Sequence, residues 1–481
     1  MRFPVLPLAI ALALGVSGCE RRPDDVPVVV SAIGDVPETV DPTRRPLAFS
    51  DAVQLAATAQ GLVRFDAGGG IEPGLAERWI VTDNGRSYIF RLRSATWPDG
   101  DRVTAEQVAA SLRAAVSPRT RSGLAPFVAV IDEIVVMTPQ VIEVRLKQPR
   151  PDLLKVFAQP EFAILRRPGT AGSGPFRLED GLLRPVQDPM VLEDEDAVPP
   201  EAAENVRLVG ERAALALARF AARESDLILG GTYRDWPLLA HTAVAPANLR
   251  IDPAVGLFGL TIVSETGFTA EPRNRAALAM AIDRAALTAL FRSDWAPVET
   301  LLPAQLDSAA LPAAPAWAAL PLAERQTAAR NRVAAWRAAN PDADGVIRVA
   351  LTRSPGAVLL WSRIARDLSA IGLRPQWVDP RADADLRLVD SVAPYDSARW
   401  YLVTACPNCP ADLDALLTAA RDAPTLAERG QRIAEADLAI SEAARYIPIA
   451  QPLRWSVAAL RLRAFQTNPR AWHPLTHLRE P

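Results

Sequence analysis

The chain has 481 residues, of which 49% are hydrophobic and 23% are charged, and its formal net charge at pH 7 is -3. This length is enough for two lobes with separate cores, because a single hydrophobic core stops growing at roughly 250–300 residues. The charge is nearly balanced, so the sequence offers no strongly basic surface and we expect no nucleic-acid partner.

The N-terminal residues have the pattern of a lipoprotein export signal. Arg2 precedes an apolar run over residues 5–16, which is too short to span a bilayer as a mature helix. The run ends in a Val-Ser-Gly-Cys box at Cys19, where small residues fit a peptidase cleft and the thiol accepts a lipid. We therefore expect a signal peptide over residues 1–18, lipid attachment at Cys19 and a tether over residues 19–26. The alternative is an ordinary secretory signal with an incidental cysteine.

This pattern also predicts the location of the protein. A lipid on the first mature residue would hold the chain at the periplasmic side of a cell envelope membrane. The pattern does not distinguish the inner from the outer membrane. We expect the membrane to be a partner only through this N-terminal lipid.

Residues 61–118 carry the densest set of local signals. They predict an apolar strand, a glycine turn, a helix that starts at a Pro-Gly-Leu-Ala-Glu segment, a hairpin and a capped helix. The hairpin strands, 79–82 and 87–93, are joined by Asp-Asn-Gly-Arg, whose Asn-Gly pair supplies the positive φ angles of a tight turn. Thr104 and Gln107 have the spacing of a capping box at the start of the helix.

The other predicted elements alternate between strands and helices. In chain order they are a buried strand at 28–33, hairpin strands at 131–137 and 141–147, a helix at 211–222, strands at 226–229 and 257–263, helices at 273–291 and 323–339, a strand at 346–351, a helix at 356–371, a strand at 374–378, and helices at 412–420 and 426–443. Alternation of this kind predicts α/β lobes with mostly parallel sheets. The acidic segment over residues 188–204 is predicted to be a solvated loop.

The order of parts in residues 61–118 resembles the family 5 extracellular solute-binding proteins, which are the receptors of peptide, nickel and related ABC importers. Residues 172–178 resemble the Gly-Thr-Gly-Pro-Tyr segment of that family, and residues 273–291 resemble its Arg-x-Ala-Leu-x-x-Ala-Ile-Asp-Arg helix. The resemblance implies an α/β, two-lobe periplasmic binding protein fold of class II, of the large peptide-binding type. Its hinge would consist of two crossing strands.

The resemblance also implies how the chain is divided. Residues 27–258 and 448–481 would form the first lobe, and residues 259–447 would form the second. Ligand would be held in the cleft between the lobes, which would close over it.

The implied function is that of the substrate-binding component of an ABC importer. It would capture a peptide-like or other medium-sized polar solute and deliver it to a membrane permease. No cofactor is expected, because ATP would be hydrolysed by the ATPase subunits, and the receptor itself would be a monomer. The alternative is a diverged binding lipoprotein that acts as an envelope sensor or scaffold without transport.

Catalysis is not expected from the motifs in the chain. The sequence contains no Gly-x-Ser-x-Gly elbow, no His-Glu-x-x-His and no Ser-x-x-Lys. We therefore predict no catalytic residue and no enzyme activity.

The resemblance directs attention to the segment over residues 395–406. In peptide-binding members, a Gly-Trp segment leads to an aspartate that pairs with the amino terminus of the peptide. Trp400 matches the tryptophan, but Thr404 and Cys406 stand where a carboxylate is expected. A buried ammonium group without a carboxylate would be costly, so a standard free-amine peptide is not the expected ligand.

Seven residues are candidate ligand contacts under this interpretation. They are Ser31, Asp35, Asp396, Arg399, Trp400, Tyr401 and Thr404. For the two aromatic residues the alternative is a place in the core. For the charged pair the alternative is a solvated strand end.

Two of the three cysteines, Cys406 and Cys409, form a Cys-Pro-Asn-Cys motif. In an oxidising periplasm a structural disulfide that closes a tight loop is the expected state. A thioredoxin-type redox pair is one alternative, but the context does not suggest that fold. A zinc site with His473 and His477 is another, but the gap between the two pairs far exceeds the ~12–15 residues of a zinc finger. We therefore predict a disulfide and no metal site.

Overall fold

The computed structural model describes residues 25–186 and 204–479. The predicted signal peptide, Cys19, most of the tether and most of the acidic loop lie outside the described residues. Within the described parts of the chain, no helix is both long enough and apolar enough to cross a membrane.

Eighteen strands build four sheets in the described chain. The strands are β1 (Val28–Ile33), β2 (Val63–Phe65), β3 (Ile71–Pro73), β4 (Ala76–Thr82), β5 (Ser87–Leu92), β6 (Ile131–Thr138), β7 (Val141–Leu146), β8 (Phe176–Glu179), β9 (Leu182–Pro185), β10 (Val206–Glu211), β11 (Leu227–Thr232), β12 (Leu249–Ile251), β13 (Gly256–Ile262), β14 (Val346–Ala350), β15 (Arg374–Val378), β16 (Leu386–Val392), β17 (Tyr446–Ala450) and β18 (Arg454–Ala458). The sheet orders are β12-β18-β11-β1-β10-β9-β8, β15-β14-β16-β13-β17, β4-β5-β7-β6 and the pair β2-β3.

The helices cover the sheets and fill the connections between them. They are α1 (Phe49–Thr58), α2 (Ala105–Ala115), α3 (Ala125–Val128), α4 (Leu153–Phe157), α5 (Ala213–Ala221), α6 (Trp236–Leu239), α7 (Pro272–Ala281), α8 (Arg284–Ala289), α9 (Leu322–Ala339), α10 (Pro355–Ala370), α11 (Ala398–Ala405), α12 (Ala411–Asp422) and α13 (Leu426–Glu442). Helix positions beyond α8 agree with the predicted helices to within two residues at each end, apart from α11, which was not predicted.

The prediction of mostly parallel sheets is wrong. Each of the two larger sheets contains three neighbouring parallel strands, β10-β1-β11 in the middle of one and β15-β14-β16 at one edge of the other. Antiparallel strands extend both sheets. Among the described strands of these two sheets, only β8 and β9 are joined as a hairpin. The other antiparallel neighbours come from distant parts of the chain, as β18 does beside β11 and β12, so their direction is set by long-range topology and not by a local βαβ crossover.

The chain passes between the two larger sheets twice. The seven-stranded sheet contains β12 and β18, whereas the five-stranded sheet contains β13 and β17. We call residues 25–255 and 451–479 the first lobe and residues 256–450 the second lobe. The predicted boundaries, after Phe258 and before Pro448, fall inside β13 and β17.

The local signals of residues 61–118 give mixed results. Strands β4 and β5 form the predicted hairpin, with positive φ at Asn84 and Gly85. Thr104 and Gln107 form both hydrogen bonds of the capping box on α2. The prediction of a helix that starts at the Pro-Gly-Leu-Ala-Glu segment is wrong, because this segment joins β3 to β4. The backbone N–H of Gly74 donates to the carbonyl of Leu62, so tertiary pairing replaces the helical turn.

The prediction of one continuous helix over residues 273–291 is also wrong. It is divided into α7 and α8 by Ile282, whose backbone is extended. Asp283 follows, and its side chain accepts a hydrogen bond from the backbone N–H of Ala286 at 3.0 Å. This N-cap starts a second helix, which the apolar periodicity of the sequence does not reveal.

Candidate functional site

Of the contacts between the two lobes, two differ most in character; the lobes are also joined by an ion pair between Arg454 and Asp390 at 2.7 Å and by a shared apolar core. The first, which we call the aromatic contact, consists of Tyr233 and Trp236 of the first lobe and Phe258, Phe291 and Gly356 of the second. It lies beside the connection into the five-stranded sheet, since Phe258 belongs to β13.

Aromatic packing dominates this contact. The Tyr233 ring lies edge-on to Phe258 and Phe291, with centroid separations of 5.1 and 6.3 Å. The indole N–H of Trp236 donates to the carbonyl of Phe291 at 2.7 Å. Tyr233 and Phe258 are almost fully buried. Opening the lobes here would return a large apolar area to water, which is unfavourable.

Backbone atoms of the two lobes also meet directly at Gly356. Its N–H donates to the carbonyl of Arg234 at 2.8 Å. A Cβ at this position would lie 1.9 Å from the carbonyl oxygen of Tyr233. Only glycine permits this approach, so the sequence itself fixes the distance between the lobes at this point.

The second, which we call the charged contact, consists of Arg150, Asp152, Lys155 and Arg470 of the first lobe and Asp396 of the second. Asp396 lies in the connection between β16 and α11. One of its carboxylate oxygens accepts a hydrogen bond from Lys155, and the other accepts one from Arg470. Burial by itself would raise the pKa of the Asp396 carboxyl, but the two cations outweigh it and the pKa is lowered.

The backbone around Asp396 is held from the first lobe as well. The side-chain amide of Gln159 donates to the carbonyl of Pro394 at 2.6 Å. The guanidinium of Arg470 donates to the carbonyl of Ala393 at 2.9 Å. The position of this connection is therefore set by side chains of the opposite lobe.

Two charged groups of the first lobe have strongly shifted pKa values at the charged contact. Arg150 donates to the carbonyl of Arg421 in the second lobe, and burial, together with the nearby Arg429, lowers the pKa of Arg150 to about 10. Burial, with the carboxylates of Asp307 and Asp396, raises the pKa of Asp152 to about 6. Both shifts have burial as the largest cause, so the charged forms are disfavoured in the closed arrangement.

The structure places the aromatic candidates in the core. Residues 398–405 form helix α11 rather than a strand end, and the side chains of Trp400 and Tyr401 are buried in the hydrophobic core that this helix shares with the four-stranded sheet. Thr404 is partly buried on the same helix. Burial raises the pKa of Tyr401, which lies close enough to Arg470 and Asp396 for their charges to affect it, whereas Trp400 and Thr404 have no such interaction with the described residues of the charged contact.

Arg399 lies on α11 but reaches across to the first lobe. Its guanidinium stands over the Phe127 ring at 5.9 Å and donates to the carbonyl of Pro126 at 3.4 Å. It also donates to the carbonyl of Leu417 at 3.3 Å, and burial lowers its pKa. Arg399 is therefore a buried interlobe residue and not a solvated charge.

The two candidates from the opening strand are placed elsewhere. Ser31 is buried in β1, where its hydroxyl donates to Glu211 at 2.6 Å and lies 3.0 Å from the hydroxyl of Ser225. Asp35 is exposed just after the strand. The contacts of Ser31 lie within the first lobe, so it is not brought together with Asp396.

The structure joins Cys406 and Cys409 in a disulfide. His473 faces Asp252 at 3.2 Å, and His477 faces Glu72 at 3.0 Å. Across the described ranges, no group of three or more His, Cys, Asp or Glu side chains is arranged to hold a metal ion.

Sequence reasoning missed the first-lobe half of the charged contact. Arg150, Asp152, Lys155 and Arg470 lie far from the segment that the resemblance singles out. One signal was available, because Lys155 is one of only two lysines among 53 basic residues. A chain that otherwise uses arginine places a lysine directly at the interlobe face.

Comparison with known proteins agrees with this architecture. The sequence profile described as bacterial extracellular solute-binding proteins, family 5 middle, matches residues 70–387, which is more than half of the chain. The periplasmic murein peptide-binding protein MppA of Escherichia coli is 25% identical over 294 residues, which cover 54% of this chain and 53% of that protein. The probable deoxycholate-binding periplasmic protein YgiS of Escherichia coli is 39% identical over 95 residues, covering 19% of this chain and 17% of YgiS. The chain thus aligns with about half or less of these relatives.

Solved structures show the fold over nearly the whole chain. The murein tripeptide binding protein MppA of Escherichia coli superposes with a TM-score of 0.77 at 19% identity, covering 94% of this chain and 98% of that one. OppA of Haemophilus influenzae, solved with RPPGFSPFR, gives a TM-score of 0.76 at 14% identity, covering 94% and 98%. The predicted two-lobe α/β fold is confirmed. With the profile match over residues 70–387, the chain belongs to the bacterial extracellular solute-binding proteins of family 5.

Proposed function

We propose that this protein is the substrate-binding component of an ABC importer. It captures a peptide-like or other medium-sized polar solute between its lobes and delivers it to a membrane permease. The observation that carries the proposal is the pairing of two unlike contacts across one interlobe face. The apolar aromatic contact keeps the lobes joined, while the partly exposed Lys155–Asp396 pair of the charged contact can break at little net cost.

Family membership supports the proposal but does not name the solute. The similar proteins are described as binding murein tripeptide, the peptide RPPGFSPFR and deoxycholate, which differ in size and charge. The ligand of this chain is therefore decided by its own cleft residues. Among the candidates from the sequence, Asp396 and Arg399 are the two whose side chains cross the interlobe face.

The finer parts of the proposal concern anchoring, partners and domain limits. The mature chain starts at Cys19, carries lipid there and works as a monomer with a permease and its ATPase subunits, without catalysis or a cofactor of its own. We place the division between lobes at the two connections that join the larger sheets, residues 252–255 and 451–453. No observation favours the sensor or scaffold alternative.

Native mass spectrometry of the mature protein, purified gently from its own host, tests the function. We expect a co-purified solute that is released when the protein is denatured. An empty protein that also shows no thermal shift with peptide pools would contradict the proposal. Cell fractionation tests the anchor: Cys19→Ala should move the protein into the soluble periplasmic fraction, and continued membrane association would contradict lipid attachment at Cys19.

A further inference from the structure

The Gly-Ser-Gly-Pro-Phe segment that leads into β8 packs directly against the end of α1. A Cβ at Gly172 would lie 2.2 Å from the Cβ of Ala59, and a Cβ at Gly174 would lie 2.3 Å from the carbonyl carbon of Thr58. The backbone N–H of Gly174 donates to the carbonyl of Thr58 at 2.9 Å. Ser173, which lies between the two glycines, is therefore held in one place by backbone contacts on both sides.

The hydroxyl of Ser173 is buried without a hydrogen-bond partner among the described residues. The residue is 5% exposed, and its carbonyl accepts a hydrogen bond from the side-chain amide of Gln60 at 2.7 Å. Folded proteins rarely leave a buried hydroxyl unpaired. Ser173 lines a cavity of about 220 Å³ in the first lobe, so a group bound in this cavity can supply the missing partner.

Positive charge dominates the lining of this cavity. Arg64, Arg93 and Arg177 contribute to the lining, and none of the described lining residues is acidic. Arg64 pairs with Glu72 at 2.6 Å, and Arg93 has an interaction of its own, so neither is counted here as an available donor. Both still add to the positive potential in the cavity.

Arg177 is the arginine whose charge is not matched. Within the described chain it has no ion pair, and its guanidinium donates to the carbonyls of Gly174 and Thr96, both at 3.3 Å. Burial lowers the pKa of Arg177, and the nearby Glu179 only partly opposes this. A guanidinium presents several N–H groups in one plane, which matches the oxygens of a carboxylate or a phosphate.

We propose that this cavity binds a compact oxyanion, a carboxylate or a phosphate group, through the guanidinium of Arg177 and the hydroxyl of Ser173. The cavity is smaller than the roughly 300–1,000 Å³ of pockets that hold drug-sized ligands, which favours a compact group. The lining residues named here all belong to the first lobe, whereas the proposed transport solute is captured between the lobes. The site therefore goes beyond the proposed function and does not need lobe closure.

The first test is isothermal titration calorimetry of the purified mature protein with sodium phosphate and, separately, with sodium acetate. Sodium chloride keeps the ionic strength constant. We expect one site per chain for at least one of the two anions, and the anion that binds distinguishes a phosphate group from a carboxylate. Arg177→Gln should weaken binding by about tenfold or more, because a charge-assisted hydrogen bond is lost.

Arg119→Gln is the matched control for this titration. It removes the same charge from an exposed arginine that does not line the cavity, so it should bind as the wild type does. A wild type that binds neither anion would overturn the proposal. Equal affinities of the wild type and Arg177→Gln would also overturn it, because they would show an adventitious ion only.

The second test uses Ser173→Ala, which removes the hydroxyl and leaves the charge of the cavity unchanged. It should weaken anion binding by about three- to tenfold, because one hydrogen bond to the anion is lost. Without anion, its urea denaturation midpoint should equal or exceed that of the wild type, since the free hydroxyl has no partner to lose. Anion affinity equal to that of the wild type would contradict the role of Ser173, and a lower midpoint without anion would show that its hydroxyl is paired within the chain.

These outcomes are independent of transport. If native mass spectrometry identified a solute and neither anion bound, the receptor role would stand and the oxyanion site would fail. If an anion bound at Arg177 and no solute were found, the reverse would hold.

Discussion

The aromatic and charged contacts connect the same two lobes by different physical means. The aromatic contact packs Tyr233 against Phe258 and brings backbone together at Gly356, so separation would expose apolar surface and break an interlobe hydrogen bond. The charged contact pairs Asp396 with Lys155, and both side chains are about one third exposed. Breaking this ion pair returns both charges to water at little net cost, although the same movement would also part the apolar core that α11 shares with the four-stranded sheet. The difference indicates that the lobes hold together more firmly at the aromatic contact than at the Lys155–Asp396 pair.

The largest effect on stability is expected at the aromatic contact. Phe258→Ala should lower the free energy of unfolding by about 3–5 kcal/mol, because it empties a fully buried site between Tyr233 and Trp295. Phe258→Leu, which keeps most of the volume, should lose less than about 1.5 kcal/mol. Urea denaturation measures both variants. If Phe258→Ala lowered the free energy of unfolding by less than about 1 kcal/mol, the aromatic contact would not be closely packed.

A smaller effect is expected where backbone meets backbone. Gly356→Ala should lower the free energy of unfolding by about 1–3 kcal/mol, because the added methyl group would overlap the carbonyl of Tyr233 and force the lobes apart. Gly123→Ala is the matched control, since nothing lies within 4 Å of the Cβ it would add. Equal denaturation midpoints for the two variants would show that this approach does not constrain the lobes.

The smallest effect is a pH dependence of the charged contact. With the lobes closed, burial and the carboxylates of Asp307 and Asp396 raise the pKa of Asp152 from an ordinary value of 3.8 to about 6. Opening separates Asp152 from both carboxylates, so its pKa falls back and its proton is released. The preference for the closed form therefore grows as pH falls from about 6 towards 3.8, and it is lost as pH rises through about 6, above which Asp152 is ionised in both forms.

Small-angle X-ray scattering at pH 5 and pH 7.5 measures this dependence through the radius of gyration. The wild type should be more compact at pH 5, and Asp152→Asn should be equally compact at both values. Asp437→Asn is the control, because burial in the second lobe also raises the pKa of Asp437 to about 6, but Asp437 does not take part in the charged contact. If Asp437→Asn removed the pH dependence of the radius and Asp152→Asn kept it, the assignment to Asp152 would be wrong.

Local signals in the sequence were sufficient for much of the fold. The Asn-Gly turn between β4 and β5 and the capping box of Thr104 and Gln107 involve residues a few positions apart, so a short window contains the whole interaction. The local signals gave a wrong prediction where contacts with a distant segment determine the conformation of the backbone. The segment before β4 pairs with the backbone at Leu62 instead of forming a helix.

The site depends on still longer separations. Lys155 and Asp396 are 241 positions apart, so their pairing follows from how the two lobes close and not from any local pattern. Asp396 and Arg399 were found because they lie within the segment, residues 395–406, that resembles the family motif. Trp400, which matches the tryptophan of that motif, and its neighbour Tyr401 are placed in the core because the segment forms helix α11.

The central claim is that the lobes separate at the charged contact while the aromatic contact holds. Small-angle scattering of the ligand-free wild type at 0.05 and 1 M sodium chloride tests it most directly, because the screening length falls to about 3 Å at 1 M salt. We predict a larger radius of gyration at high salt with an unchanged denaturation profile, since only the partly exposed ion pairs are weakened. A radius that does not change with salt would contradict the account and would show that the two lobes form one rigid body.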